Sequence, residues 1–214
     1  HQGRSMRSMI NIAGIGGNFD AVSLARQYAL MRPNDDMTDI KVAQVIPSYW
    51  QPDRIVTILP PLLKRYPNVN AFWCAGDELA LKVLAQLGGN RNKRYLIGGF
   101  DWLPRALVQI EQGYMTASAG GHFLMASKAL INIYDHHHGE ERFELHGSMS
   151  SFEIIDKHNV AEYSAFLQRE PWHLLTFKHY SVLAMRQHGG DGHRVERLTV
   201  ASLVEQFNRL AAPY

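Results

Sequence analysis

Four short apolar runs, rich in β-branched or aromatic residues and each followed by a stretch long enough for a helix, restrict the folds open to this chain. They are Ile10–Ile15 (INIAGI), Lys41–Ile46 (KVAQVI), Ala71–Ala75 (AFWCA) and Tyr95–Phe100 (YLIGGF), bounded by Gly, Pro or Asp. Between them Ile55, Ile58, Leu59, Leu62 and Leu63 recur at helical spacing, as do Leu79, Val83, Leu84 and Leu87 ahead of Gly88-Gly89. A strand that returns parallel to its predecessor needs a crossover of helical length, and that crossover is right-handed. The pattern therefore predicts an α/β fold, a Rossmann-like parallel sheet flanked by helices.

Local chemistry agrees with this at most places and conflicts with it at one. Asp20 and Asp77 are placed to cap the helices after the first and third strands, Pro104 suits a first helical turn, and Gly113 suits a helix end. Pro60-Pro61 falls inside the second helix, where each proline removes a hydrogen bond, and a kink or break is expected there. From Met115 the rhythm changes. A short strand (MTASAGG) leads into a helix carrying Phe123, Ala126, Leu130 and Ile133 on one face, and then into a strand at SSFEIID. Regularity weakens after Phe166 and returns in a last amphipathic helix with Val200, Leu203, Val204 and Phe207 on one stripe. Gly-Gly-Asp-Gly at 189–192 reads as a turn or linker.

Composition removes several function classes. With 46% hydrophobic and 20% charged residues over 214, the chain can bury a substantial core. Lys+Arg of 22 against Asp+Glu of 20 leaves a net charge of +2, and the longest basic block is RNKR at Arg91–Arg94, so no nucleic-acid footprint is visible. Cys74 is the single cysteine and reads as a small core residue in a strand. Neither G-x-S-x-G nor a Cys-His signature is present, and Asp35-Asp36 and Glu140-Glu141 read as solvated charges, so no enzyme is indicated. GIGGN at Gly14–Asn18 lacks the dinucleotide spacing and a Walker lysine, and a tight turn is the better reading. His136, His137 and His138 are consecutive and project in different directions, so no metal site is expected, and no cofactor either.

In open parallel sheets, ligands bind beyond the carboxyl ends of the strands. The residues arriving there are Asn18 and Asp20 after the first strand, Tyr49 and Trp50 after the second, and Gly76, Asp77 and Glu78 after the third. Asp101 and Trp102 follow the fourth, and the next strand delivers Gly120, Gly121 and His122. Carboxylates, an amide and indoles suit a hydroxylated ring, which offers paired hydroxyls to Asp and Asn and an apolar face to Trp. Asp and Gly also belong in strand-to-helix loops for structural reasons alone.

The order of motifs is more specific than any one of them. NVNAFWCAGDELALKVLAQLG, then YLIGGFDWLPRALVQIEQGYMTASAGGHF, then a helix ending YDHHHG, resembles the type I periplasmic sugar-binding proteins and the related effector domains of lac-repressor-type regulators. The resemblance runs from about Ile10 to about Phe166. It implies two Rossmann-like lobes joined by a three-stranded hinge and closing on a small solute. On that pattern residues 1–113 look like the core of the second, C-terminal lobe, and 114–147 like a hinge crossing with a helix of the first lobe. Residues 148–170 look like a return strand and helix, and 171–214 form a C-terminal tail. The first lobe's leading units have no counterpart, so a truncated or proteolysed piece is expected, with an exposed face open to artificial or domain-exchanged dimers.

Residue by residue, the resemblance places Asp101 at the family's binding Asp and Trp50 at an aromatic that stacks on the sugar. Asp77 matches the Asp of an Asn-Asp-x-x-Ala pattern whose Asn is replaced by Gly76. The Arg of the first helix falls on Leu24, with Arg26 two positions on, and the polar residue of the crossing is replaced by Gly121, beside His122. The implied function is the solute-binding component of an ABC-type transporter, periplasmic, taking a sugar-like molecule noncovalently through Asn18, Asp20, Trp50, Asp77, Asp101, Trp102 and His122 and passing it to a membrane permease. Alternatives are a ligand-sensing periplasmic domain of a signalling system, the effector domain of a transcription regulator, and a doubly wound enzyme.

Overall fold

In the computed structural model, which describes residues 9–31, 39–89, 94–139, 152–187 and 198–211, the βαβ alternation closes into one sheet. Strands β1 (Ile10–Gly16), β2 (Ile40–Pro47), β3 (Ala71–Cys74), β4 (Leu96–Phe100), β5 (Ala117–Gly120) and β6 (Glu153–Asp156) lie in the order β2-β1-β3-β4-β5-β6. The pairs β1–β2, β1–β3, β3–β4 and β4–β5 are parallel, as expected from the helix-length crossovers. The strand order reverses direction at β1, so the loops leaving β1 and β3 diverge there and open a crevice at the carboxyl end of the sheet. The 189–192 turn, the acid pairs at 35–36 and 140–141, and most of the RNKR block lie outside the described residues.

The chain divides into two units. The first holds residues 1–119 and 155–158, with helices α1 (Ala21–Met31), α2 (Ile55–Arg65), α3 (Asp77–Gln86) and α4 (Pro104–Glu111). Its core is Ala13 and Ile15 of β1, Phe72 and Cys74 of β3 and Ile97 of β4, covered by Ile55, Ile58, Leu59 and Leu62 of α2 and Leu79, Val83 and Leu84 of α3. Helix α2 runs through Pro60 and Pro61 without the expected break. Both prolines sit on its exposed side, where the carbonyls deprived of a partner, those of Val56 and Thr57, also belong to exposed residues and can turn to water. Pro104 opens α4 and Gly113, at φ 78°, follows its end, as the sequence suggests.

Helix α1 reverses the usual arrangement. Its inward positions are Ser23, Arg26 and Gln27, while Val22, Leu24, Tyr28 and Met31 are exposed.

The second unit holds residues 120–154 and 159–214, with α5 (Leu124–His137), α6 (Val160–Arg169), α7 (Val182–Gln187) and α8 (Val200–Ala211). Acidic side chains tie its tail down. Glu153 accepts the N–H groups of Val200 at 2.5 Å and Ala201 at 2.8 Å, capping α8, and also takes the Tyr163 hydroxyl at 3.0 Å. Asp135, buried near the end of α5, takes the Ser181 hydroxyl at 2.5 Å and the Val182 N–H at 2.9 Å at the start of α7. Val200, Leu203, Val204 and Phe207 are buried, and Phe166 packs edge-on against Trp172 and Phe207. The α5 face bearing Phe123, Leu130 and Ile133 is exposed.

Candidate ligand-binding site

The loops at the carboxyl ends of β1 to β4 bring most of the sequence-selected residues together within the first unit. After β1, Asn18 turns back so that its Oδ1 accepts the Asp20 N–H at 2.7 Å, and Asp20 Oδ1 accepts the Ser23 N–H at 2.7 Å as the cap of α1. Asp20 Oδ2 takes the Trp50 indole N–H at 2.9 Å. The Ser23 N–H first, and then the indole, hold the Asp20 carboxyl below its ordinary pKa, so it is ionised at neutral pH.

Trp50 arrives after β2 with its indole laid directly over Gly17. A Cβ on that glycine would fall 2.2 Å from the indole Cε2. Tyr49 and Trp50 have φ of 57° and 59°, and Asp101 and Trp102 have 102° and 58°. Two consecutive non-glycine residues at positive φ end both β2 and β4. Such conformations persist only where their surroundings enforce them, and they gather at functional sites.

Arg26 is the residue the sequence reading missed in placing the helix arginine at Leu24. Its side chain, only 10% exposed, donates to Asp101 Oδ1 at 3.0 Å and to the Ala75 carbonyl at 2.5 Å. Its guanidinium lies 4.7 Å from the Phe100 ring centroid and 6.0 Å from that of Trp50. Leu24 is on the outer side of α1. A signal was present: Arg26 follows Ser23 by three residues, which places the two on the same helix face.

Gly76 stands between the acid and the indole, since a Cβ there would lie 3.3 Å from Asp101 Oδ2 and 3.6 Å from Trp50 Cζ3. Asp101 itself is 35% exposed. The remaining two selected residues of this unit are enclosed. Asp77 has no exposed surface, and it is the first residue of α3 rather than its cap, that position being taken by Gly76. Burial pushes its carboxyl pKa up to about 6 against the pull of the Ser118 hydroxyl and the Leu103 N–H. Trp102 is buried, with its indole N–H donated to the Ser118 carbonyl at 2.9 Å. His122 belongs to the second unit, where its ring lies 5.6 Å from that of Phe152. Of the Gly14–Asn18 stretch, Gly14 to Gly16 are the last residues of β1 rather than part of a tight turn, and the Gly17 N–H is donated to the Ser23 hydroxyl at 2.9 Å. Among the described residues no group of His, Cys, Asp or Glu is arranged to hold a metal ion.

An aromatic face beside a carboxylate and a guanidinium, at the point where strand order reverses, is the chemistry of polyhydroxylated-ring recognition. The D-allose-binding periplasmic protein of Escherichia coli (strain K12) is 32% identical over 109 residues, which are 50% of this chain and 34% of that protein. A periplasmic sugar-binding protein from Pseudomonas fluorescens superposes with a TM-score of 0.63 at 23% identity, over 76% of this chain and 52% of that one. The chain shares the type I periplasmic sugar-binding fold. An ABC transporter periplasmic solute-binding protein from Actinobacillus succinogenes 130z, solved with bound D-allose, has the same fold at a TM-score of 0.62 and 18% identity, over 72% of this chain and 56% of that one. This chain thus spans about a third of the curated relative and about half of the solved periplasmic sugar-binding structures. No family model matches it. The relatives are binding proteins rather than enzymes. No helix among the described residues is long and apolar enough to cross a membrane.

Proposed function

We propose that this chain supplies solute-holding residues of a periplasmic ABC-type binding protein that takes a sugar or sugar-like molecule noncovalently and presents it to a membrane permease, without catalysis. The observation that carries this reading is the grouping of Trp50, Arg26 and Asp101 around Gly76 at the sheet's crevice. Trp50 offers a ring face already fixed by Gly17 and Asp20, so little side-chain freedom is lost when a sugar stacks on it. Asp101 accepts sugar hydroxyls, and Arg26 orients that carboxylate through its 3.0 Å hydrogen bond to Oδ1. Asn18 and Asp20 act by holding the loop and the indole. Asp77 and Trp102 lie behind the contact surface. The 32% identity to a protein named for D-allose supports the solute class.

Thermal unfolding against D-allose, D-ribose, L-arabinose and D-galactose tests this, because a ligand that binds only the native state raises the midpoint with concentration. A saturable shift with one sugar, abolished in Asp101→Ala and in Trp50→Ala, is the expected result. A midpoint unmoved by every sugar, or a shift that survives both substitutions, contradicts the reading.

A further inference from the structure

Asp77 is a fully buried carboxylate that cannot reach a solute, and its partners are not cations. Its Oδ2 accepts the Leu103 N–H at 2.9 Å, and the Ser118 hydroxyl stands 2.8 and 3.0 Å from its two oxygens. Ser118 also receives the Trp102 N–H on its hydroxyl at 3.4 Å and the Trp102 indole N–H on its carbonyl at 2.9 Å. The Asp101 N–H is donated to the next carbonyl of β5, that of Ala119, at 2.8 Å. Every residue of the turn 101–103 is thereby anchored to β5 or to Asp77. The fit is close enough to dictate a glycine in β4: a Cβ on Gly99 would lie 2.2 Å from Asp77 Oδ1. These anchors surround the two positive-φ residues Asp101 and Trp102, a conformation the chain does not hold without such enforcement. A carboxylate buried without a cation is unfavourable for stability, so the geometry is better accounted for by what it positions.

We propose that Asp77 is a positioning residue of the ligand site: by holding the Leu103 N–H and the Ser118 hydroxyl it fixes the 101–103 turn, and so aims the Asp101 carboxylate at Arg26 and at the solute. Asp77 touches no ligand and acts through Asp101 alone. The proposal rests on the reading of Asp101 as a solute contact.

A double-mutant cycle separates this role from a general structural one. D-Allose is titrated calorimetrically into wild type, Asp77→Ala, Asp77→Asn, Asp101→Asn and the pair Asp77→Ala/Asp101→Asn. The expected loss of affinity is about tenfold or more for Asp77→Ala and less than about threefold for Asp77→Asn, which keeps an acceptor for Leu103. On the Asp101→Asn background, Asp77→Ala adds less than about twofold. Equal losses on both backgrounds overturn the proposal. If Asp77→Ala does not fold, Ser118→Ala, which removes the shared hydroxyl, takes its place in the cycle. Should wild type bind no D-allose, the sugar reading is what fails for that probe, and a ligand-free arm decides the present proposal. In a crystal structure of the variant, loss of the 3.0 Å Arg26–Asp101 pair supports it, and an unchanged pair and turn overturn it.

Discussion

Gly17 has no side chain because Trp50 occupies the space one would need. Gly17→Ala is expected to displace the indole, break its bond to Asp20 and lower D-allose affinity about tenfold, with a stability loss of about 1–3 kcal/mol from overpacking. Parallel titrations and urea melts check both figures. Asp77 makes a different expectation, because its native pKa of about 6 lies above the ordinary value of 3.8. The native chain holds this proton between about pH 4 and 6 while the unfolded chain has released it, so Asp77 adds stability as pH falls through 6 and subtracts it as pH rises. The ionisable groups near it are Asp101, which raises its pKa, and Cys74, whose own thiol burial pushes up and leaves neutral, with Arg26 on the far side of Asp101. Asp77→Asn removes the titration. It is expected to be more stable than wild type at pH 8, by up to about 3 kcal/mol, and equal to it near pH 4. Urea melts at the two pH values check this, and an identical difference at both contradicts it.

At the scale of elements, α8 depends on Glu153, whose carboxylate supplies the capping acceptor for Val200 and Ala201. Glu153→Ala is expected to cost about 1–3 kcal/mol and to raise hydrogen exchange in the first turn of α8 ahead of the rest of the second unit. Pro60→Ala in α2 restores an N–H opposite the Val56 carbonyl on the exposed side, and a gain of about 1 kcal/mol in thermal or urea unfolding is expected. These two helices also mark what the sequence could and could not tell. The α8 stripe was legible because four apolar residues at helical spacing have one explanation, but its cap was not, since Glu153 lies 47 residues away. The two prolines were read as a break because propensity was weighed without knowing which side of α2 meets the core. Arg26 was passed over because the resemblance placed the helix arginine at Leu24, and periodicity could not correct that. Helix α1 turns polar residues inward at the crevice and leaves Val22, Leu24 and Tyr28 outside, so ordinary apolar periodicity points to the wrong face.

Across the whole molecule, the sheet was legible from alternation alone. β1 to β4 fall within a residue or two of the four apolar runs between the helical stretches, because a parallel strand joined by helix-length crossovers is a short, mostly apolar run. The rim was half legible: strand ends announce which residues arrive, whereas which of them face outward depends on the turn geometry. Asp101 and Trp102 are neighbours in sequence, yet one is partly exposed and the other buried, a difference set by two positive φ angles that no composition rule specifies. A sugar is expected to stack on Trp50 beside Asp101. The chain has four tryptophans, hence four indole N–H signals in a ¹⁵N–¹H spectrum, assignable by single Trp→Phe substitutions. On titration with D-allose, the Trp50 signal is expected to move saturably while those of Trp73 and Trp172 stay in place. A Trp50 signal that remains fixed while D-allose is shown to bind elsewhere, or that never moves with any sugar tested, contradicts the account.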